Sequence, residues 1–137
     1  MANFNIAYER TAKFEGGYVF DPNDNGGETF AGISRKANPK WSGWKIIDAC
    51  KNKTDFPSCL KTHKLLHQEV LKVYKEKYWN LIRGDEINVQ EVANEIYDFA
   101  VNAGVATSIK LQQRQYRLKE TGKMDDLLLR MLNKIKK

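Results

Sequence analysis

Cysteine and histidine are scarce in this chain, with two of each in 137 residues. Cys50 and Cys59 alone cannot make a disulfide scaffold, nor can they supply a four-ligand zinc site. No run of about 18 apolar residues is present, which excludes a membrane-spanning helix. The opening segment, Met1 to Arg10, has no basic stretch followed by an apolar one, so it does not read as a secretory signal. Internal repeats and low-complexity tracts are also lacking. What is present is a globular composition, 42% hydrophobic and 29% charged. That is too apolar for a disordered chain and long enough for one domain with a real core.

The formal charge is +6. A surplus of that sign favours polyanions, whether nucleic acid, anionic lipid or a bacterial wall polymer, and charge alone does not choose among them. The basic residues are scattered, with small clusters at Arg35-Lys36, Lys51–Lys53 and Lys134–Lys137. A nucleic-acid binder would carry a basic stripe along one helix, and none is seen.

Phe4, Ala7, Tyr8, Thr11 and Phe14 recur at the spacing of one helix face, and Gly16-Gly17 ends that helix. Tyr18-Val19-Phe20 is β-prone, Asp21 to Gly27 is a loop, and Glu28 to Ile33 returns as a strand, giving a small hairpin. The remainder is mostly helical. Helices are expected over Trp44–Cys50, over about 60–79, after an Asn88 cap until Gly104, from a Thr107 cap through Leu118, and from Asp125-Asp126 onward. The fourth carries an apolar stripe of Val89, Val92, Ala93, Ile96, Phe99, Ala100 and Ala103. The expected fold class is α+β, mostly α, with one small N-terminal β-hairpin.

The densest polar cluster runs from Glu15 to Ser34. A carboxyl at the negative end of a helix and partly buried is pushed above its ordinary pKa, and a protonated carboxyl can donate to a leaving oxygen. Asp21, Asp24 and Glu28 are exposed candidates for an ionised partner. From Glu15-Gly16-Gly17 alone, an ordinary helix-end residue is the simpler reading. Calcium is a rival for the loop, since Asp21, Asn23, Asn25 and Gly26 match positions of an EF-hand. The residue required to be a bidentate Glu, however, is Gly32.

Four blocks tip the balance. Glu15-Gly16-Gly17-Tyr18-Val19 with Asp21-Pro22, Asp24, Gly26-Gly27-Glu28-Thr29 and Gly32-Ile33-Ser34 forms the first. Trp41-Ser42-Gly43-Trp44-Lys45 forms the second. Tyr78-Trp79 with Arg83-Gly84-Asp85, and Asp98-Phe99-Ala100-Val101-Asn102-Ala103-Gly104, complete the set. In this order they resemble glycoside hydrolase family 108, the phage and prophage N-acetylmuramidases and secretion activators, remote kin of phage-type lysozymes. The resemblance covers about residues 4–112. It implies a lysozyme-like domain over 1–112 and C-terminal helices over 113–137 that are short beside the family's peptidoglycan-binding segment.

The same resemblance implies hydrolysis of the β-1,4 bond between N-acetylmuramic acid and N-acetylglucosamine, with no cofactor or metal; the separation of the two carboxyls decides between retention and inversion, and the reading leans to inversion. Glu15 matches the general acid. By analogy with phage-type lysozymes, Asp24 and Thr29 manage the attacking water, although the lysozyme Thr comes one position later. Tyr18, Tyr97, Asp98 and Asn102 are expected at the sugar. Phe30-Ala31 departs from the family, which has a polar residue and Tyr there. Implied partners are peptidoglycan and a holin for export, with no nucleic acid and no stable membrane insertion. Synthesis in the bacterial cytoplasm and action at the wall or periplasm follow as expectations. The alternative is a wall-binding or secretion-assisting module without catalysis.

Other conspicuous residues have plainer readings. Trp41, Trp44 and Trp79 read as core before sugar platforms. His63 and His67, four apart, read as a solvent-facing pair. Arg83-Gly84-Asp85 reads as a turn. Cys50 and Cys59 read as free thiols that can pair in an oxidising compartment.

Overall fold

Helical periodicity and turn residues produce the element order expected of a mostly helical α+β chain. The computed structural model describes residues 1–12, 17–23 and 27–134. Six α-helices are described: α1 (Phe4–Ala12), α2 (Gly43–Cys50), α3 (Lys64–Tyr74), α4 (Gln90–Ala103), α5 (Val105–Gln115) and α6 (Asp126–Asn133). Three strands, β1 (Tyr18–Phe20), β2 (Glu28–Phe30) and β3 (Ile33–Ser34), form an antiparallel sheet in chain order. Short 3₁₀ turns lie at Ser58–Thr62 and Gly84–Glu86, and a π-turn extends α3 over Lys75–Trp79. None of the described helices is long and apolar enough to cross a membrane.

The chain divides into two compact units, Met1–Thr11 with Tyr74–Lys137, and Ala12–Val73. In the first, aromatic rings supply the centre. Phe4 packs against Trp79 at 5.7 Å and against Tyr97 at 5.9 Å, and Trp79 meets Tyr97 at 6.0 Å. Such tilted and edge-on pairs set ring edges against ring faces, which adds to the area they bury. Tyr74 extends the cluster, contacting Tyr8 and stacking on Tyr78. Thus α1 is fastened by its Phe4, Ala7 and Thr11 face, as its periodicity predicts. Phe14 lies outside the described residues. Trp79 directs its indole N–H to Asp85 at 2.9 Å, so Arg83-Gly84-Asp85 is the turn expected, with Arg83 left-handed at φ 52°.

Three expectations for this unit are corrected. The capping box at Asn88 does not form: α4 starts after Val89, and the Asn88 N–H donates to Asn133 Oδ1 at 2.9 Å. The start of α4 carries no side-chain cap, and the Asn88 N–H is served by a side chain distant in sequence. The buried face of α4 is also turned from the expected stripe. It holds Ala93, Asn94, Ile96, Tyr97 and Ala100, while Phe99 is 37% exposed. Tyr97 has a large apolar body, and the aromatic cluster claims it. Finally, α5 begins at Val105, not at a Thr107 cap, because Gly104 with φ 103° breaks α4 and starts the next helix at once. Asp125 behaves as its sequence context suggests, its carboxylate accepting from the Leu128 N–H at 2.8 Å.

The second unit packs α2, α3 and the sheet around Phe30, Ile33, Trp44, Ile47, Cys50, Leu60, Leu66 and Val70. Trp44 is anchored by an indole N–H bond to the Asn38 carbonyl at 2.8 Å and by an edge-on contact with Trp41. The two histidines have structural jobs. His63 Nδ1 accepts the Leu66 N–H at the start of α3, and His67 Nε2 lies 2.9 Å from the Lys61 carbonyl oxygen. The single returning strand expected over Glu28–Ile33 is corrected to two. Ala31 (φ 50°) and Gly32 (φ 80°) are both left-handed and turn the chain into β3.

Gly84 gives a direct test of how tightly the aromatic centre is packed. A Cβ there would collide with ring carbons of Trp79, which is fully buried and has nowhere to move. Gly84→Ala is expected to cost about 2 kcal/mol in denaturant unfolding. An unchanged midpoint would show that the indole can shift.

Candidate active site

Strand alternation sorts the residues of β2. Glu28 and Phe30 are buried and Thr29 between them is half-buried. Thr29 pairs with Val19 on one side and Ser34 on the other, so these three share the opposite face of the sheet. Val19 there is 52% exposed, which leaves that face open at its β1 edge. Glu15 precedes β1 in the chain and Asp24 falls between β1 and β2; both lie outside the described residues. Asp21 accepts the Asn23 N–H at 2.9 Å, an Asx turn that opens the loop.

Glu28 was expected to be an exposed carboxylate, and this is corrected. Its side chain is only 7% exposed and is held by three donors. Tyr18 Oη donates at 2.6 Å, Arg35 Nη1 at 2.8 Å, and Lys51 Nζ lies at 2.7 Å. Arg35 also forms a two-pronged pair with Asp48 at 2.8 Å on each oxygen, and Lys51 reaches Asp48 at 3.0 Å. Parity explains the burial, since Glu28 sits two residues from Phe30 and shares its face. A carboxylate carried below the sheet requires cations there. Lys51 and Arg35 read as surface charge in the sequence, and only the packing of α2 on the sheet shows that they converge.

The electrostatics follow from this geometry. Burial alone would raise the Glu28 pKa, but hydrogen bonds from Lys51, Tyr18 and Arg35 outweigh it and hold the carboxyl below its ordinary value. Arg35 holds Asp48 well below the usual carboxylate range. Burial, then the bond to Glu28, pushes the Tyr18 hydroxyl up to about 12. Tyr18, expected at the sugar, therefore commits its hydroxyl to Glu28 and packs its ring edge-on against Phe56 at 5.0 Å.

In the other unit, Asp98 accepts a hydrogen bond from Thr11 Oγ1 at 2.9 Å. Asn102, one turn later, is exposed and donates its amide to the Asp98 carbonyl at 2.8 Å. The two share a helix face as expected. Tyr97 does not join them: it is fully buried between Phe4 and Trp79. Among the described residues no cluster of three or more His, Cys, Asp or Glu side chains could hold a metal ion.

The model of the family described as Glycosyl hydrolase 108 matches residues 8–104. The chain belongs to that family. The match spans both units and takes in every motif residue considered above. The solved structure of Brucella abortus SagA is similar to this glycosyl hydrolase. It is 27% identical and aligns with a TM-score of 0.66 over 97% of this chain and 70% of that one. No curated protein matches the chain.

The ion cluster around Glu28 predicts a contribution to stability that depends on pH. Glu28 and Asp48 ionise more readily folded than unfolded. Their stabilisation is therefore complete above the ordinary carboxylate pKa of about 4 and is lost as the pH falls below it. Glu28→Gln is expected to cost about 2 kcal/mol at pH 7, less than for a fully buried pair because Arg35 and Lys51 are 36% and 37% exposed. Melting curves of wild type and variant should converge as the pH drops below about 4. A gap that does not change with pH would remove Glu28 from that role.

Proposed function

We propose that this chain hydrolyses peptidoglycan at the β-1,4 bond between N-acetylmuramic acid and N-acetylglucosamine. The observation that carries the reading is the family match over residues 8–104, a span that includes Glu15, Asp24 and Thr29. In this reading Glu15 protonates the glycosidic oxygen as positive charge builds on the sugar ring. Asp24, ionised, stabilises that charge or activates a water molecule. Thr29, on the sheet face opposite the buried Glu28, orients the water through its hydroxyl. Asp98 and Asn102 contact the sugar's polar groups.

The formal charge of +6 supports the same substrate, because an anionic polymer is drawn to a basic protein. The proposed stereochemistry is inversion, in which a water stands between two carboxyls about 6.5–9.5 Å apart.

Purified cell walls provide the test. Wild-type protein should clear a wall suspension, and Glu15→Gln should slow clearing at least ~100-fold, the typical contribution of a general acid. Mass spectrometry should find N-acetylmuramic acid at the new reducing ends, and NMR of the first product should show the inverted anomer. Equal clearing by both proteins would dismiss Glu15 as the acid, and reducing-end N-acetylglucosamine would change the bond assignment. Binding to walls without clearing would favour a wall-binding module.

A further inference from the structure

Asp98 and Glu28 are carboxylates served in opposite ways. Glu28 has three donors, two of them cations, so its charge is matched inside the protein. Asp98, half-buried on α4, receives one neutral donor on Oδ1, the Thr11 hydroxyl at 2.9 Å. Among the described residues no cation pairs with Asp98, and its Oδ2 has no hydrogen-bond partner.

Thr11 is 3% exposed and closes the buried face of α1. A threonine inside a helix commonly returns its hydroxyl proton to a carbonyl one turn back. Here the proton goes to another helix, 87 residues away in the chain. Valine would fill the same space, so packing alone does not call for a hydroxyl at this position; the carboxylate does. Because Thr11 engages Oδ1, it decides that Oδ2 is the oxygen left over.

Asn102 works from the next turn. Its NH2 donates to the Asp98 carbonyl at 2.8 Å, and among the described residues its Oδ1 has no partner. The two side chains share a helix face, about 5–6 Å apart at Cβ. All three residues belong to the unit of Met1–Thr11 and Tyr74–Lys137. This face therefore offers two acceptors. An ionised carboxylate accepts and never donates. In an N-acetylated sugar the hydroxyls do both, whereas the acetamido N–H only donates.

We propose that Thr11 is a positioning residue: it holds Asp98 so that Oδ2 accepts the acetamido N–H of an N-acetylated sugar, while Asn102 Oδ1 takes a neighbouring hydroxyl. The inference rests on the wall-cleaving reading, which puts Asp98 at the sugar. It adds which group Asp98 meets and what holds it there. A neutral donor leaves the negative charge on Asp98 intact, so the sugar N–H gains a charged acceptor.

The experiment compares the full chain as wild type, Thr11→Val, Thr11→Ser, Asp98→Ala and the double variant Thr11→Val/Asp98→Ala, on solubilised glycan strands and well below each melting temperature. Thr11→Val should raise KM roughly 5-fold and leave kcat within about twofold, the pattern of a lost interaction made equally in ground and transition states. Thr11→Ser keeps the hydroxyl and should bring KM back to within about twofold of wild type. Asp98→Ala should raise KM at least about 10-fold, and adding Thr11→Val should change it no further, because Thr11 acts through Asp98. Asp98→Asn tests the same point with Thr11 in place. Thr11 would hold the amide oxygen, leaving NH2 to face an N–H that it cannot accept, and KM should rise as for Asp98→Ala.

A wild-type KM in Thr11→Val or in Asp98→Asn, or losses that multiply in the double variant, would overturn the proposal. A bond that only fastens α1 to α4 would lower the melting temperature of Thr11→Val and leave KM alone. Wild type that releases no product would overturn the wall-cleaving reading itself. Wild type that is active and is stopped by Glu15→Gln, with a KM indifferent to Thr11, would overturn this inference alone.

Discussion

Glu28 carries a negative charge beneath a three-stranded sheet, where water cannot solvate it. An isolated carboxylate in that position would be protonated or expelled. Arg35, Lys51 and Tyr18 make it tenable, and each comes from a different part of the unit: Tyr18 from β1, Arg35 from just past β3, Lys51 from the end of α2. The carboxylate therefore joins sheet and helix in one arrangement. Strand β2, which also carries Thr29, is placed by these contacts as much as by its backbone ladder. Short strands have little ladder to rely on: β2 shares three residue pairs with β1 and two with β3.

The other unit solves its packing problem differently. Six aromatic residues, Phe4, Tyr8, Tyr74, Tyr78, Trp79 and Tyr97, form linked ring contacts that draw α1, the turn after α3 and α4 together. Several buried polar atoms of this unit are served by side chains or backbone. Trp79 finds Asp85, Ser108 finds the Ile96 carbonyl, and Gln113 satisfies the segment between α5 and α6 through Thr121, Gly122 and Lys123. A family motif such as Tyr78-Trp79 with Arg83-Gly84-Asp85 thereby gains a physical meaning. Trp79 is the centre of the cluster, Gly84 is small because the indole lies against it, and Asp85 receives the indole N–H.

These supports bear on the proposed chemistry. A general acid and its partner carboxylate work only when held in fixed geometry. Thr29 lies on β2 of one unit, whereas Asp98 and Asn102 belong to the other. Several blocks of the family pattern are thus framework: Glu28, Trp44, Trp79 and Gly84 are buried and bonded to neighbours. The polar residues of the Asp98–Asn102 turn remain at or near the surface.

Much of this was legible in the chain alone. Helix α6 and its Asp125 cap, the break at Gly104, the buried face of α1 and the β-prone run at Tyr18 follow from local rules, because period, capping and left-handed glycine act within a few residues. Family membership was legible for the same reason, as motifs are local strings. The fate of individual side chains was not. Tyr97 and Phe99 are two residues apart on one helix, and which is buried depends on the side from which Phe4 and Trp79 arrive. Glu28 looked exposed because its counter-charges lie 7 and 23 residues away, brought close only when α2 packs on the sheet. The Asn88 N–H likewise finds its partner in Asn133, 45 residues away. Local sequence decides which elements form; burial and pairing are decided by neighbours distant in the chain, and only the tertiary structure names them.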